Sequence, residues 1–270
     1  MARARALTLC LAAGLALAQP AAAASAAKPE AKTDGKPNAA AASAEPLPVD
    51  TGPPAPWRLL RALQRLQVQM AQGSTVAQQA QAGLVAELTR GFAAADAALW
   101  SDRRNAVAAL ALLLSGADPR DLRKLHDDGA FGDHASLVAA GLAFAEGRTA
   151  QARALLEEID EADLGRIVAA QVALVAATLA ARDDPERANA LFDRARLLSP
   201  GTLVEETARR RQARLAEERS DETRFMRLAA QYARRYGRSV YASDFHVRLP
   251  AALTRIALAG KRDDLEAIEP

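Results

Sequence analysis

Residues 183–206 read DDPERANALFDRARLLSPGTLVEE. Asp184 is a good N-cap and Pro185 suits the first helical position, where a missing N–H costs nothing, so a helix starts here. Ala188, Phe192, Ala195 and Pro200 then follow a small–large–small–proline spacing, the pattern of the second helix of a tetratricopeptide-type hairpin. Thr202 with Glu205 three residues on is a capping box that opens the next helix at once. Upstream, Gly147, Ala152 and Leu156 occupy the matching positions of an earlier hairpin. Ala152 to Ala188 is a step of 36 residues, against about 34 for this repeat class. One further step reaches Arg224 and Leu228, a poorer match, and an ancestral-looking copy lies around 105–128. Such hairpins bury little surface alone and must stack. The predicted fold is all-α: tetratricopeptide-like stacked helical hairpins forming an α-superhelix.

The rest of the chain agrees. Half of its 270 residues are hydrophobic, 25% are charged and only 4% aromatic. Alanine abounds, which favours helices and close helix–helix approach. Trp57, Leu60, Leu63, Leu66 and Met70 recur at helical spacing up to Gly73. A second helix is predicted over roughly 75–90, with 91–100 following through Phe92 and Trp100. An Ala/Leu-rich helix runs from Asn105 to Ser115, and the next starts after Asp118-Pro119 and ends at Asp128-Gly129. Asp133 is predicted to cap a helix through Ala145, which Gly147 terminates. Pro250 should kink or end the last helix. The helical-repeat domain thus spans 57–259, and 260–270 is a charged C-terminal tail.

The first 26 residues read as a secretory signal: Arg3 and Arg5, an apolar run from Ala6 to Ala18, then small residues with cleavage after Ala24 or Ala26. Export places the protein in the periplasm. Cys10, the only cysteine, lies within that signal, so the exported form has no thiol, disulfide or cysteine metal site. Removing the signal leaves 33 basic against 33 acidic residues, and the balance does not point to nucleic acid. Residues 27–56, rich in Ala, Pro and Lys, lack apolar periodicity and read as a disordered linker.

The sequence offers few residues in a chemically suggestive pattern. His126 and His134 flank Asp127, Asp128 and Asp133 without the spacing of a calcium loop or zinc pair, and capping explains the acids. The run Glu157, Glu158, Asp160, Glu161, Asp163 reads as a solvated turn, since nothing nearby would split two carboxylate pKa values. No nucleophile elbow or glycine-rich phosphate loop is present. The expectation is a non-enzyme with no cofactor, no metal and no small-molecule substrate.

Residues 205–238 stand apart, with ten arginines against six acids and Phe225, Tyr232 and Tyr236 among them. Arginine and tyrosine are enriched at protein–protein contacts. Arg210, Arg214, Tyr232, Arg234, Arg235 and Tyr236 are therefore the candidate partner-binding residues. The competing reading is a solvated helix face laced with pairs such as Arg214–Glu218.

Five blocks carry a family likeness: PWRLLRALQRLQVQMAQG (56–73), DRRNAVAALALLLSGADP (102–119), GLAFAEGR (141–148), ARLLSPGTLVEETARRR (195–211) and QYARRYGRSVYASDF (231–245). In this order, over about 56–258, they resemble the periplasmic motility protein MotC family. The resemblance implies a non-enzymatic periplasmic component of a flagellar motor. It would bind the periplasmic part of the stator subunit, motility protein B, and be needed for rotation. A dedicated periplasmic chaperone would be a further partner. The resemblance carries no contact residues with it. The implied mechanism is scaffold binding that favours one stator state, which requires different affinity for the two states. The alternatives are a generic tetratricopeptide-like adaptor of the cell envelope with a non-flagellar client, and a helical companion of cell-wall cleavage.

Overall fold

The computed structural model describes residues 54–266, with side chains as far as Leu258. The expected signal and nearly all of the expected linker lie outside the described residues. Eleven α-helices follow in order: α1 (Pro56–Ala71), α2 (Thr75–Ala93), α3 (Arg103–Leu114), α4 (Arg120–Asp127), α5 (Ala135–Ala145), α6 (Thr149–Glu157), α7 (Arg166–Ala180), α8 (Pro185–Leu198), α9 (Leu203–Glu218), α10 (Glu222–Tyr236) and α11 (Ala242–Glu266). No strand occurs among the described residues, whose regular structure is all helical.

Local sequence accounts for most helix starts. The Asp184 side chain accepts from the Arg187 N–H at 3.0 Å, and Pro185 opens α8. Asp102, Asp221 and Ser74 likewise accept from backbone N–H groups of Arg104, Arg224 and Ala77, satisfying donors that a helix start leaves without partners. Two starts differ from expectation. Asp133 does not cap α5; it lies in a 3-10 turn, and His134 takes the cap position with no side-chain bond. At α9 the Thr202 hydroxyl accepts the Glu205 N–H at a long 3.5 Å, while the Glu205 carboxylate takes the N–H of Gly201 at 2.6 Å. The capping box is thus shifted one residue outward.

One further expectation is corrected and another is narrowed. Residues 91–100 are not one helix: α2 ends at Ala93 and a 3-10 turn covers Ala97–Ser101, seating the fully buried Trp100. Of the kink or end expected at Pro250, the end is ruled out, since α11 continues to Glu266. Proline removes one N–H from the helical ladder, and Thr254 Oγ1 donates to the Pro250 carbonyl.

The core is built around α3 and α7. Ten of the twelve α3 residues are buried, as befits a helix apolar on every side. It packs against α1, α2, α5 and α7. Gly141 of α5 sits so close to α3 that a Cβ there would come within 2.9 Å of Leu113 Cδ1. Between α3 and α7, Gln171 Nε2 donates to the Ala111 carbonyl (3.0 Å) and to Ser115 Oγ (2.9 Å), which satisfies the buried amide nitrogen.

The hairpin positions read from the sequence are interior. Ala152, Leu156, Ala188, Phe192 and Ala195 are all buried, and α5 pairs with α6, α7 with α8, and α9 with α10. Helix α1 nevertheless packs against α9 as well as α2 and α3. In an open repeat stack each unit touches only its neighbours; here the first helix also reaches the ninth.

Candidate partner-binding face and its buried support

The six residues chosen from sequence divide into two sets. Arg214, Arg234 and Arg235 are exposed and Arg210 is half-buried. Tyr232 and Tyr236 are interior, 0% and 3% exposed, so they are corrected from contact residues to internal supports. The physical reason is helical phase. Phe225, Leu228, Ala229, Tyr232 and Tyr236 form the buried stripe of α10, whereas Arg227 and Arg234, seven residues apart, fall on the opposite side. Arg214 forms the expected pair with Glu218, at 2.8 Å and with both side chains at least half exposed. Such a pair contributes at most about 0.5 kcal/mol.

Beneath this face lies a buried polar network. Tyr236 donates its hydroxyl to Glu205 and Tyr232 to Glu206, each at 2.7 Å. Glu205 also pairs with Arg209 (2.8 Å) and with Arg235 (3.1 Å), and Arg209 reaches Gln231 of α10 at 2.7 Å. The two adjacent glutamates are driven apart electrostatically. Burial opposes the charge on Glu205, yet the Gly201 N–H, the Tyr236 hydroxyl and Arg209 outweigh it and hold that carboxyl below its ordinary range. Burial dominates at Glu206 and raises its pKa, despite Ser239, Tyr232 and Arg210; its Oε2 has no hydrogen-bond partner. Burial raises both tyrosine hydroxyls as well, reinforced by the carboxylates they face, so both remain protonated donors.

Split carboxylate pKa values are also a mark of acid–base sites. A small cavity against the same helix, α9, is lined by other side chains than these two glutamates. Lined by Gln67, Gln81, Ser115, Leu203, Thr207, Arg210 and Tyr241, it measures about 20 Å³, room for about one water. Arg210 Nε and Gln81 Oε1, on two of the lining residues, are buried without hydrogen-bond partners. Arg210 also stacks over the Tyr241 ring, 4.7 Å from its centroid.

The acidic run is tied down. Glu157 pairs with Arg187 (3.0 Å), Glu161 with Arg194 (2.9 Å) and Asp163 with Arg103 (2.6 Å), and Asp160 caps the turn at Ala162. No group of three or more metal-ligating side chains occurs among the described residues, and His126 lies beside the Phe131 ring.

A second arginine cluster escaped the sequence reading. Around the half-buried Trp57 ring stand Arg61 (4.7 Å), Arg104 (4.9 Å) and Arg58 (5.3 Å from the centroid). The Trp57 backbone N–H donates to Asn105 Oδ1 (3.1 Å), and Asn105 Nδ2 donates to the Leu99 carbonyl (2.7 Å). The available signal was the 58, 61, 65 spacing of arginines opposite the apolar stripe of α1, with no acid in that helix.

The family model described as "Chemotaxis protein MotC" matches residues 1–269. The chain belongs to the MotC family. A curated relative, the "Chemotaxis protein MotC" of Rhizobium meliloti (strain 1021), is 30% identical over 193 residues, covering 70% of this chain and 44% of the relative. The chain therefore aligns with less than half the length of that relative. No solved structure matches. Membership makes this a motility- or chemotaxis-related protein. No described helix is long and apolar enough to cross a membrane.

Proposed function

We propose that this protein is an exported, non-enzymatic component of the flagellar motor that binds the periplasmic part of motility protein B and is needed for rotation. The observation that carries the reading is membership of the chemotaxis protein MotC family over nearly the whole sequence. Two physical features support it. The helices form an assembly whose interior is filled by alanine, leucine and aromatic side chains, leaving the outer faces for recognition. Arginines without carboxylate partners are gathered on the outside of α10, where a partner can meet them. The leader of residues 1–26 delivers the chain to the periplasm, and residues 27–56 tether the helical body.

The experiment is a deletion strain scored for both filaments and movement. Filaments present in normal number but not turning support a motor role. Missing filaments place the protein in assembly, and normal swimming overturns the proposal.

A further inference from the structure

Arginines are distributed unevenly with respect to acids. Between α3 and α9 most of them are paired: Arg103 with Asp163, Arg123 with Glu146, Arg153 with Glu157 and Arg194 with Glu161. Around α1 and α10 five stand apart, although Arg235 of α10 pairs with Glu205. Arg61, Arg65, Arg227, Arg234 and Arg238 are exposed, and none has a carboxylate within ion-pair distance among the described residues. Helix α1 contains no acid at all. In α10 the helical phase puts Glu222 on another side from Arg227 and Arg234.

The two helices meet. A Cβ on Gly73, just past α1, would lie 2.3 Å from the Arg238 carbonyl oxygen. The Val240 N–H donates to the Met70 carbonyl at 3.4 Å, and Ala71 packs with Tyr232 and Tyr236. The end of α1 therefore abuts the end of α10, and each basic stripe runs toward this seam.

We propose that the outer faces of α1 and α10 form one basic docking belt for an acidic polypeptide segment of a partner. Guanidinium forks bind carboxylates in paired hydrogen bonds, and unpaired arginines need break no existing ion pair to do so. Arg61 is further oriented by its stacking on Trp57. A membrane surface fits less well, because an interfacial helix must offer its apolar face, whereas Leu60, Leu63 and Met70 are buried in the core. Nucleic acid fits less well because the formal charge of the whole chain is only +2, far from the basic excess such binding uses. The belt rests on the partner-holding reading above but names a surface and a chemistry for it.

The test uses the full chain and a fluorescent ten-residue polyglutamate peptide, followed by anisotropy at low and moderate salt. R61E/R65E and R227E/R234E should each weaken binding at least about ten-fold, since like charges then face the ligand. R166E/R182E, an equal charge change at exposed arginines elsewhere, should shift it less than about three-fold. Circular dichroism checks folding, and R61Q/R65Q replaces any reversal variant that misfolds. Equal loss in the control, no loss in the belt variants, or tighter binding to anionic vesicles or to a DNA duplex overturns the belt. The folded stator domain is titrated in parallel. If it binds all variants equally, the belt falls and the motor reading stands; if it fails to bind while the peptide shows the expected pattern, the motor reading falls and the belt stands.

Discussion

The α7–α8 hairpin and the junction of α9, α10 and α11 are neighbours built on different physics. In the hairpin, Ala170, Ala173, Ala177, Ala188 and Ala195 share one buried cluster with Phe192, and small side chains let the helices approach closely. At the junction, two buried glutamates face two buried tyrosines and a nearly buried arginine. Apolar packing is non-directional and scales with the area removed from water. A buried ionic network adds little net stability but is costly to break at one member. The hairpin is thus held by volume, whereas the junction depends on each partner's identity and, through its carboxyls, on pH.

The largest effect should come from emptying the hairpin. Phe192→Ala removes a fully buried ring and should cost about 3–5 kcal/mol in denaturant unfolding; a loss below about 1 kcal/mol would show that the site collapses freely. At the junction, Glu205→Gln strips the charge facing Arg209 and Arg235 and should cost about 3 kcal/mol near neutral pH. Tyr232→Phe leaves Glu206 Oε1 without its donor and should cost about 1–2 kcal/mol. The smallest effect belongs to Arg214→Ala, within about 0.5 kcal/mol, because its pair with Glu218 is solvated.

A pH series sharpens the same contrast. Glu205 lies below the ordinary glutamate value of 4.5 when folded, so its contribution is present above that value and is lost as pH falls through its folded-state pKa. Glu206 is raised above 4.5, so its contribution is full below that value and is lost as pH rises through its folded-state pKa. Glu206→Gln should therefore flatten the decline on the alkaline side of 4.5, and Glu205→Gln the decline on the acid side. Denaturant midpoints across pH would check both, and an unchanged profile in either variant would contradict the assignment for that residue.

The second helix of the hairpin was legible in the sequence because its signals are local: an Asp-Pro start, a small–large–small spacing within one helix and Pro200-Gly201 just past its end. The junction was not. Tyr232 finds Glu206 across 26 residues and Tyr236 finds Glu205 across 31, and no local rule joins them. Glu205 carried a local capping signal but ended as an interior anion, because α10 covers it. Their arginine neighbours suggest a surface position for the tyrosines, but the spacing with Phe225, Leu228 and Ala229 puts them on an apolar stripe. Asn105 and Trp57 were illegible for the same reason as the junction: their bond joins α1 to α3 across 48 positions. Pro250 shows the limit of a strong local rule, since α11 continues through a residue that usually ends a helix.

Calorimetric titration of the full chain with the folded periplasmic domain of motility protein B tests the partner-holding role most directly. Saturable binding in the micromolar range or tighter, weakened when Arg234 is reversed to Glu, is the predicted result. No heat of binding at tens of micromolar, with both proteins shown to be folded, would contradict it.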